Sequence, residues 1–119
     1  MHELSICQAL LDQVEQIARD HGATRVERIL LKVGPLAGVE PALLQHAYPL
    51  AAAGTIAASA ELVIEAAEVR VLCQDCGVES PASANRLLCG ACGGFRTRLV
   101  SGDEMLLARL EMVMPDVGD

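Results

Sequence analysis

Four cysteines, Cys73-x-x-Cys76 and Cys89-x-x-Cys92, are spaced to hold a metal ion inside a closed tetrahedron of thiolates. Each C-x-x-C pair lets one tight turn aim two sulfurs at a common point, and the twelve residues between the pairs suffice to bring the second turn round to the first. Gly77 and Gly93-Gly94 follow the second cysteine of each pair, where such a turn uses a positive φ that other residues resist. Zinc is the ion this donor set favours. With four protein ligands no position is left for water or substrate, so the chemistry is structural rather than catalytic. A redox dithiol pair is the other reading of the motif. Cys7 stands apart. It shares a helical stripe with Leu4, Leu11, Val14 and Ala18, which makes it a small core residue rather than a ligand.

A second candidate lies in Met1-His2-Glu3, where an α-amine sits one peptide unit from an imidazole. The amine and the His2 amide nitrogen would close a five-membered chelate ring on a metal. The same amide and His2 Nδ1 would close a six-membered ring, and the Glu3 amide can add another of five. Nitrogen donors held in a plane suit square-planar Ni(II) or Cu(II) more than tetrahedral Zn(II). Considered alone, a histidine at position 2 is more often a solvated side chain.

Composition bounds what can surround these groups. In 119 residues, 52% of them apolar, there is enough to bury one core and to carry a small metal-stapled satellite. Tyr48 and Phe95 are the only aromatics, so no base-stacking platform exists. The formal charge of −7 disfavours a nucleic-acid partner, and a zinc tetrathiolate would make the chain more acidic still. Neither a signal-peptide pattern nor an apolar stretch of membrane-spanning length is present, which predicts a cytoplasmic protein with no membrane partner. In a reducing compartment, cysteines at this spacing hold metal more readily than disulfides.

The elements that must position these groups follow from periodicity. Leu4 to Asp20 reads as an amphipathic helix closed by His21-Gly22. Val26 to Val33 reads as a strand, with Ile29, Leu31 and Val33 on one face and Gly34-Pro35 at its end. Glu40-Pro41 starts a second helix that reaches Gly54, with Leu43, Leu44, Ala47 and Leu50 as its expected buried face and Pro49 as an expected kink or early stop. Glu61 to Leu72 reads as one strand running directly into the first cysteine turn. Phe95 to Val100 reads as another strand; after the turn Ser101-Gly102-Asp103, Glu104 to Val113 reads as a strand by the alternation of Leu106, Ala108, Leu110 and Met112, with a helix on Met105, Leu106 and Leu110 as the other reading. The cysteine segment is therefore an insertion. The boundaries predicted are residues 1–69 and 102–119 for an α/β domain and 70–101 for a zinc ribbon.

Taken end to end, the chain resembles the HypA/HybF family of hydrogenase-maturation nickel chaperones. The likeness is carried by Met1-His2-Glu3-Leu4-Ser5-Ile6-Cys7, by Arg25-Val26-Glu27-Arg28 through Gly34-Pro35-Leu36-Ala37-Gly38-Val39-Glu40, by Gly54-Thr55, by the cysteine quartet, and by Gly102-Asp103-Glu104 with Leu110-Glu111. It departs from the family pattern at Gly90, where proline is usual, at Gly94, and at Tyr48-Pro49. The resemblance implies an α+β fold, two helices packed on a three-stranded sheet with an inserted zinc-ribbon domain. It implies nickel contacts from Met1, His2 and Glu3, with Glu40 at an acidic position tied to the family's nickel site. It also implies structural Zn²⁺ on Cys73, Cys76, Cys89 and Cys92, and Ni²⁺ as transported cargo. A GTPase of the HypB type and the precursor of a [NiFe]-hydrogenase large subunit are the partners implied, with homodimer formation left open. No bond-making chemistry is required, so the chain is not read as an enzyme. Without the resemblance, Glu40 reads as a helix-start carboxylate, and His21 and His46 as a helix-terminal cation and a helix-face residue.

A different class, a zinc-ribbon nucleic-acid or transcription adaptor, is the alternative. Between residues 70 and 100, Arg70, Arg86, Arg96 and Arg98 oppose Asp75 and Glu79, a surplus that the −2 of a zinc tetrathiolate cancels. A neutral patch on an acidic protein reads nucleic acid poorly. A zinc hydrolase would need an open coordination position and a histidine-rich cluster, and the sequence offers neither.

Overall fold

The computed structural model describes residues 3–115. Helix α1 (Glu3–His21) buries Cys7, Leu10, Leu11, Val14 and Ala18, a stripe at helical spacing, and carries Glu3 in its first turn and Arg19 and His21 in its last. Its end is a Schellman turn: the Gly22 N–H reaches the Arg19 carbonyl, the Ala23 N–H reaches the Ala18 carbonyl, and Gly22 holds φ at 68°. The His21 ring nitrogen Nδ1 lies 2.9 Å from the Ile17 carbonyl oxygen. Strand β1 (Arg25–Val33) follows, burying Val26, Ile29, Leu31 and Val33. Gly34 ends it for a steric reason, since a Cβ there would run into the backbone of Gly102.

Helix α2 (Pro41–Ala52) starts at Glu40 as N-cap, with proline in its first turn where the missing N–H costs nothing. Its buried face differs from the one the apolar pattern predicts. Leu44, Tyr48 and Ala52 are buried, whereas Leu43 is 50% exposed and Leu50 76%. The Tyr48 hydroxyl donates to the Ala57 carbonyl at 2.9 Å, and satisfying that group draws the phenol inward at the expense of the neighbouring leucines. The helix passes through Pro49 and ends one turn later, with the Ala53 N–H on the Pro49 carbonyl.

The segment expected as one strand is two: β2 (Glu61–Ala66) and β3 (Arg70–Cys73), placed in different sheets. The break falls at Ala67–Val69, where the Ala67 N–H bonds to the Val33 carbonyl and the Glu68 carbonyl accepts the Ser101 hydroxyl. These outside partners take the backbone away from a continuous ladder. The remaining strands are β4 (Glu79–Pro81), β5 (Thr97–Ser101) and β6 (Met105–Val113). Phe95, expected in a strand, lies before β5 and is 81% exposed. One sheet has the order β2-β1-β6 and the other β4-β3-β5. The fold class is α+β, with two helices and a three-stranded sheet, into which a four-cysteine ribbon is inserted between β2 and β6.

The chain divides into two compact units. The first takes in the stretch up to Leu31, then Val39–Ile64, then the stretch from Leu107. There α1 packs on α2, and the Cys7 thiol donates to the Leu44 carbonyl at 3.6 Å. Arg28 of β1 pairs with Glu61 at 2.9 Å and Glu111 at 3.5 Å, one cation serving both flanking strands. The second unit is Lys32–Gly38 with Glu65–Leu106. In it β3 is the central strand, antiparallel to β4 through Val71↔Ser80 and to β5 through Val71↔Leu99. No helix described is long and apolar enough to cross a membrane.

Candidate metal centre

The two C-x-x-C segments fold into matched turns. Cys73 closes β3, and the Gly77 N–H returns to its carbonyl at 3.0 Å; the Gly93 N–H does the same to the Cys89 carbonyl at 2.9 Å. Both glycines have positive φ, 73° and 74°, a conformation that a side chain would strain. Each turn then aims amides at its first sulfur. The Cys76 N–H lies 3.4 Å from Cys73 Sγ, and the Ala91 and Cys92 N–H groups lie 3.3 and 3.4 Å from Cys89 Sγ.

The four sulfurs lie within 4.8 Å of one another. Across the turns, Cys73 Sγ is 3.7 Å from Cys92 Sγ, and Cys76 Sγ is 3.6 Å from Cys89 Sγ. A zinc tetrahedron with bonds of about 2.3 Å has sulfur–sulfur edges of roughly 3.8 Å, close to these two edges of the cage. None of the sulfurs is in a disulfide.

Electrostatics separates the thiols. The Cys92 and Ala91 amides pull Cys89 down to about 6, and the Cys76 amide lowers Cys73. For Cys92 the Gly94 amide pulls down, but the sulfurs of Cys73, Cys89 and Cys76 outweigh it and push the thiol up to about 12. Hydrogen bonding of the Cys92 S–H to those sulfurs favours its neutral form, and a divalent cation at the centre would take the place of that proton and hold all four thiolates. Around the cage, Arg96 pairs with Asp75 at 3.0 Å, and Arg70 is held by Glu79 at 2.8 Å and Glu68 at 3.3 Å. Two of the ribbon's four arginines are thereby engaged by carboxylates, which leaves little for a polyanion to grip.

Of the N-terminal candidates, Met1 and His2 lie outside the described residues. Glu3 opens α1, and Glu40 caps α2 without spending its carboxylate on the helix amides. The Cys7 to Leu44 hydrogen bond joins the two helices one turn beyond each of these acids. The four cysteines are brought together, and Glu3 and Glu40 each stand at the start of one of two helices that pack on each other. His46 is exposed on α2 and makes no side-chain hydrogen bond among the described residues.

A profile of the family described as "Hydrogenase/urease nickel incorporation, metallochaperone, hypA" matches residues 1–112. The chain belongs to the HypA family. HypA is a family of metallochaperones, not of enzymes. A hydrogenase maturation factor HypA from Nitrosospira multiformis is 51% identical, over 95% of this chain and 98% of that protein. One from Aquifex aeolicus is 41% identical over 94% of this chain and 97% of that protein. The solution structure of the Ni metallochaperone HypA from Helicobacter pylori superposes with a TM-score of 0.70 at 25% identity, covering 97% of this chain and all of that one. A second HypA solution structure gives 0.74 at 26% identity, over 97% and 98% of the two chains.

Sequence reasoning did not find Ser80. It is buried in β4, and its Oγ accepts the Gly90 N–H at 2.9 Å inside the second cysteine turn. The one sequence signal was Gly90 itself, at a position where the resemblance leads one to expect proline.

Proposed function

We propose that this chain is a nickel metallochaperone of hydrogenase maturation, capturing Ni(II) at its N-terminal segment and passing it on. His2, with the backbone nitrogens of Met1, His2 and Glu3, supplies the chelating donors, and Glu40 contributes an oxygen or a bond to a ligand. A site at a chain terminus can both close on an ion and open to release it by ligand exchange. The receiving partners are a GTPase of the HypB type and then the precursor of a [NiFe]-hydrogenase large subunit, in the cytoplasm. Nickel handling belongs to residues 1–69 and 102–119, and residues 70–101 form the zinc domain.

In that domain Cys73, Cys76, Cys89 and Cys92 would hold Zn²⁺. The ion would supply structural cross-linking of the two turns, with no position open to substrate. The ribbon then offers a rigid docking surface. The single observation that carries the functional reading is the family match over residues 1–112, because it takes in both the Met1-His2-Glu3 start and the cysteine quartet. Glu40 supports it by capping α2 without a side-chain bond to the helix amides, which leaves its carboxylate available to a ligand.

The test is isothermal titration of untagged protein with Ni(II) at fixed pH. His2→Ala is expected to lower nickel affinity at least tenfold with zinc content unchanged, and Glu40→Ala to have a smaller effect, since water replaces an oxygen donor more easily. Affinity should fall on acidification through the ordinary imidazole range, as protons compete for the ring. Equal affinities for wild type and His2→Ala would remove His2 from the site.

A further inference from the structure

Apart from the Tyr48 phenol and the cysteine thiols, Ser80 is the single buried polar side chain among the described residues, 7% exposed, in the middle of β4 opposite Val71 of β3. Its acceptor bond from the Gly90 N–H is placed between Cys89 and Cys92. The Ala91 and Cys92 amides are turned onto Cys89 Sγ and the Gly93 amide onto the Cys89 carbonyl, so the Gly90 N–H is the amide of this turn that reaches out to another strand. Residues 89–94 belong to no strand. Apart from the sulfur–sulfur contacts, Ser80–Gly90 is the one described hydrogen bond that ties this turn to β3 or β4.

The pair is also matched in shape. A Cβ at position 90 would lie 3.2 Å from Ser80 Cβ and 3.4 Å from its Oγ, closer than side chains ordinarily pack. Gly90 is not among the glycines with positive φ, so the turn does not need it for backbone freedom. Its smallness and its N–H serve the contact with Ser80.

We propose that Ser80 is a positioning residue for the metal centre, holding the Cys89–Cys92 turn at its distance from Cys73 and Cys76. The proposal rests on reading the four thiolates as a zinc site. Zinc leaves through states in which one thiolate has let go. A turn tied to β4 keeps that sulfur close, at high effective concentration for rebinding, and an untied turn moves off. The effect therefore falls on the rate of metal loss, with one ion per chain still bound at saturation.

The experiment follows zinc transfer from full-length, zinc-loaded protein to a chromogenic chelator, with the Co(II) absorption spectrum of each variant as a second readout. Ser80→Ala is expected to release zinc roughly three- to tenfold faster, the scale of one net hydrogen bond, and to shift the Co(II) bands. Gly90→Pro removes the donor and sets a ring against Oγ, so its release is faster still. Adding Ser80→Ala to Gly90→Pro should slow release again by clearing room for the ring, whereas two independent lesions would add. Wild-type protein without zinc would overturn the metal centre and Ser80's role together. Zinc-loaded wild type and Ser80→Ala with the same release rate, or additive effects in the double variant, would overturn Ser80's role alone.

Discussion

In the first, helical unit Val14, Ala18, Val26 and Ile29 are completely buried, with Cys7, Leu31 and Leu44 nearly so; in the second unit, which carries the ribbon, Val71 is the one completely buried side chain, joined by Val33, Val69, Ser80 and two cysteines. The first unit closes on apolar area contributed by two helices and a sheet. The second, built on short strands, has too little to offset the entropy of ordering its turns. On the proposed reading, its cohesion comes from the zinc that the four sulfurs would hold. On that reading the two units are held by different forces, and each should fail under a different insult.

The largest expected effect follows from removing the metal. Chelation, or Cys73→Ser, should unfold the ribbon, since a structural zinc is worth on the order of 10 kcal/mol to a domain of this size. Amides of β3, β4 and β5 should lose hydrogen-exchange protection while α1 and α2 keep theirs and most far-ultraviolet helical signal survives. Collapse of both units together would show that the comparison is false and that the helical core is not self-sufficient.

The converse insult is Leu44→Ala. Leu44 is 1% exposed in the contact between the helices, so its truncation should cost about 2–5 kcal/mol in urea unfolding followed by helical signal, with zinc content intact. Leu50→Ala, two turns along the same helix and 76% exposed, should stay within about 0.5 kcal/mol. Sequence reasoning grouped these two leucines on one face. A large cost at Leu50 would restore that grouping.

The same helix shows where a sequence is readable and where it is not. Spacing alone picked out Cys73, Cys76, Cys89 and Cys92, because metal geometry constrains neighbours along the chain, and the Schellman end of α1 was readable in His21-Gly22 for the same local reason. The face of α2 was not readable. It is decided by the carbonyl of Ala57, nine residues past Tyr48, which no helical period encodes. The change of sheet between β2 and β3 escaped notice because Glu65-Ala66-Ala67-Glu68 contains neither glycine nor proline, and the interruption comes from bonds to Val33 and Ser101. Ser80 and Gly90 become a pair only once β4 lies beside the second cysteine turn. Local chemistry is legible early, and partners chosen by the fold are not.

Tyr48 gives a smaller effect than Leu44 and a more specific one, because its alkaline titration marks the helical unit alone. Tyr48→Phe deletes the donor to the Ala57 carbonyl and should cost about 1–2 kcal/mol near neutral pH. Burial, reinforced by the neighbouring Cys7, pushes the phenol up to about 12, above the ordinary tyrosine value near 10. A folded value above the unfolded one means that the neutral, buried phenol stabilises fully below about pH 10 and that this stability is lost as pH climbs from about 10 toward 12. The Cys7 thiol is raised by burial and by Glu3, and it adds a loss of the same sign in the alkaline range. Urea unfolding of the helical signal between pH 8 and pH 11 should therefore decline in the wild type and decline less steeply in Tyr48→Phe, with Cys7 accounting for the remainder. Identical slopes would mean that the phenol ionises as freely in the fold as in the open chain, and that α2 does not hold it against Ala57.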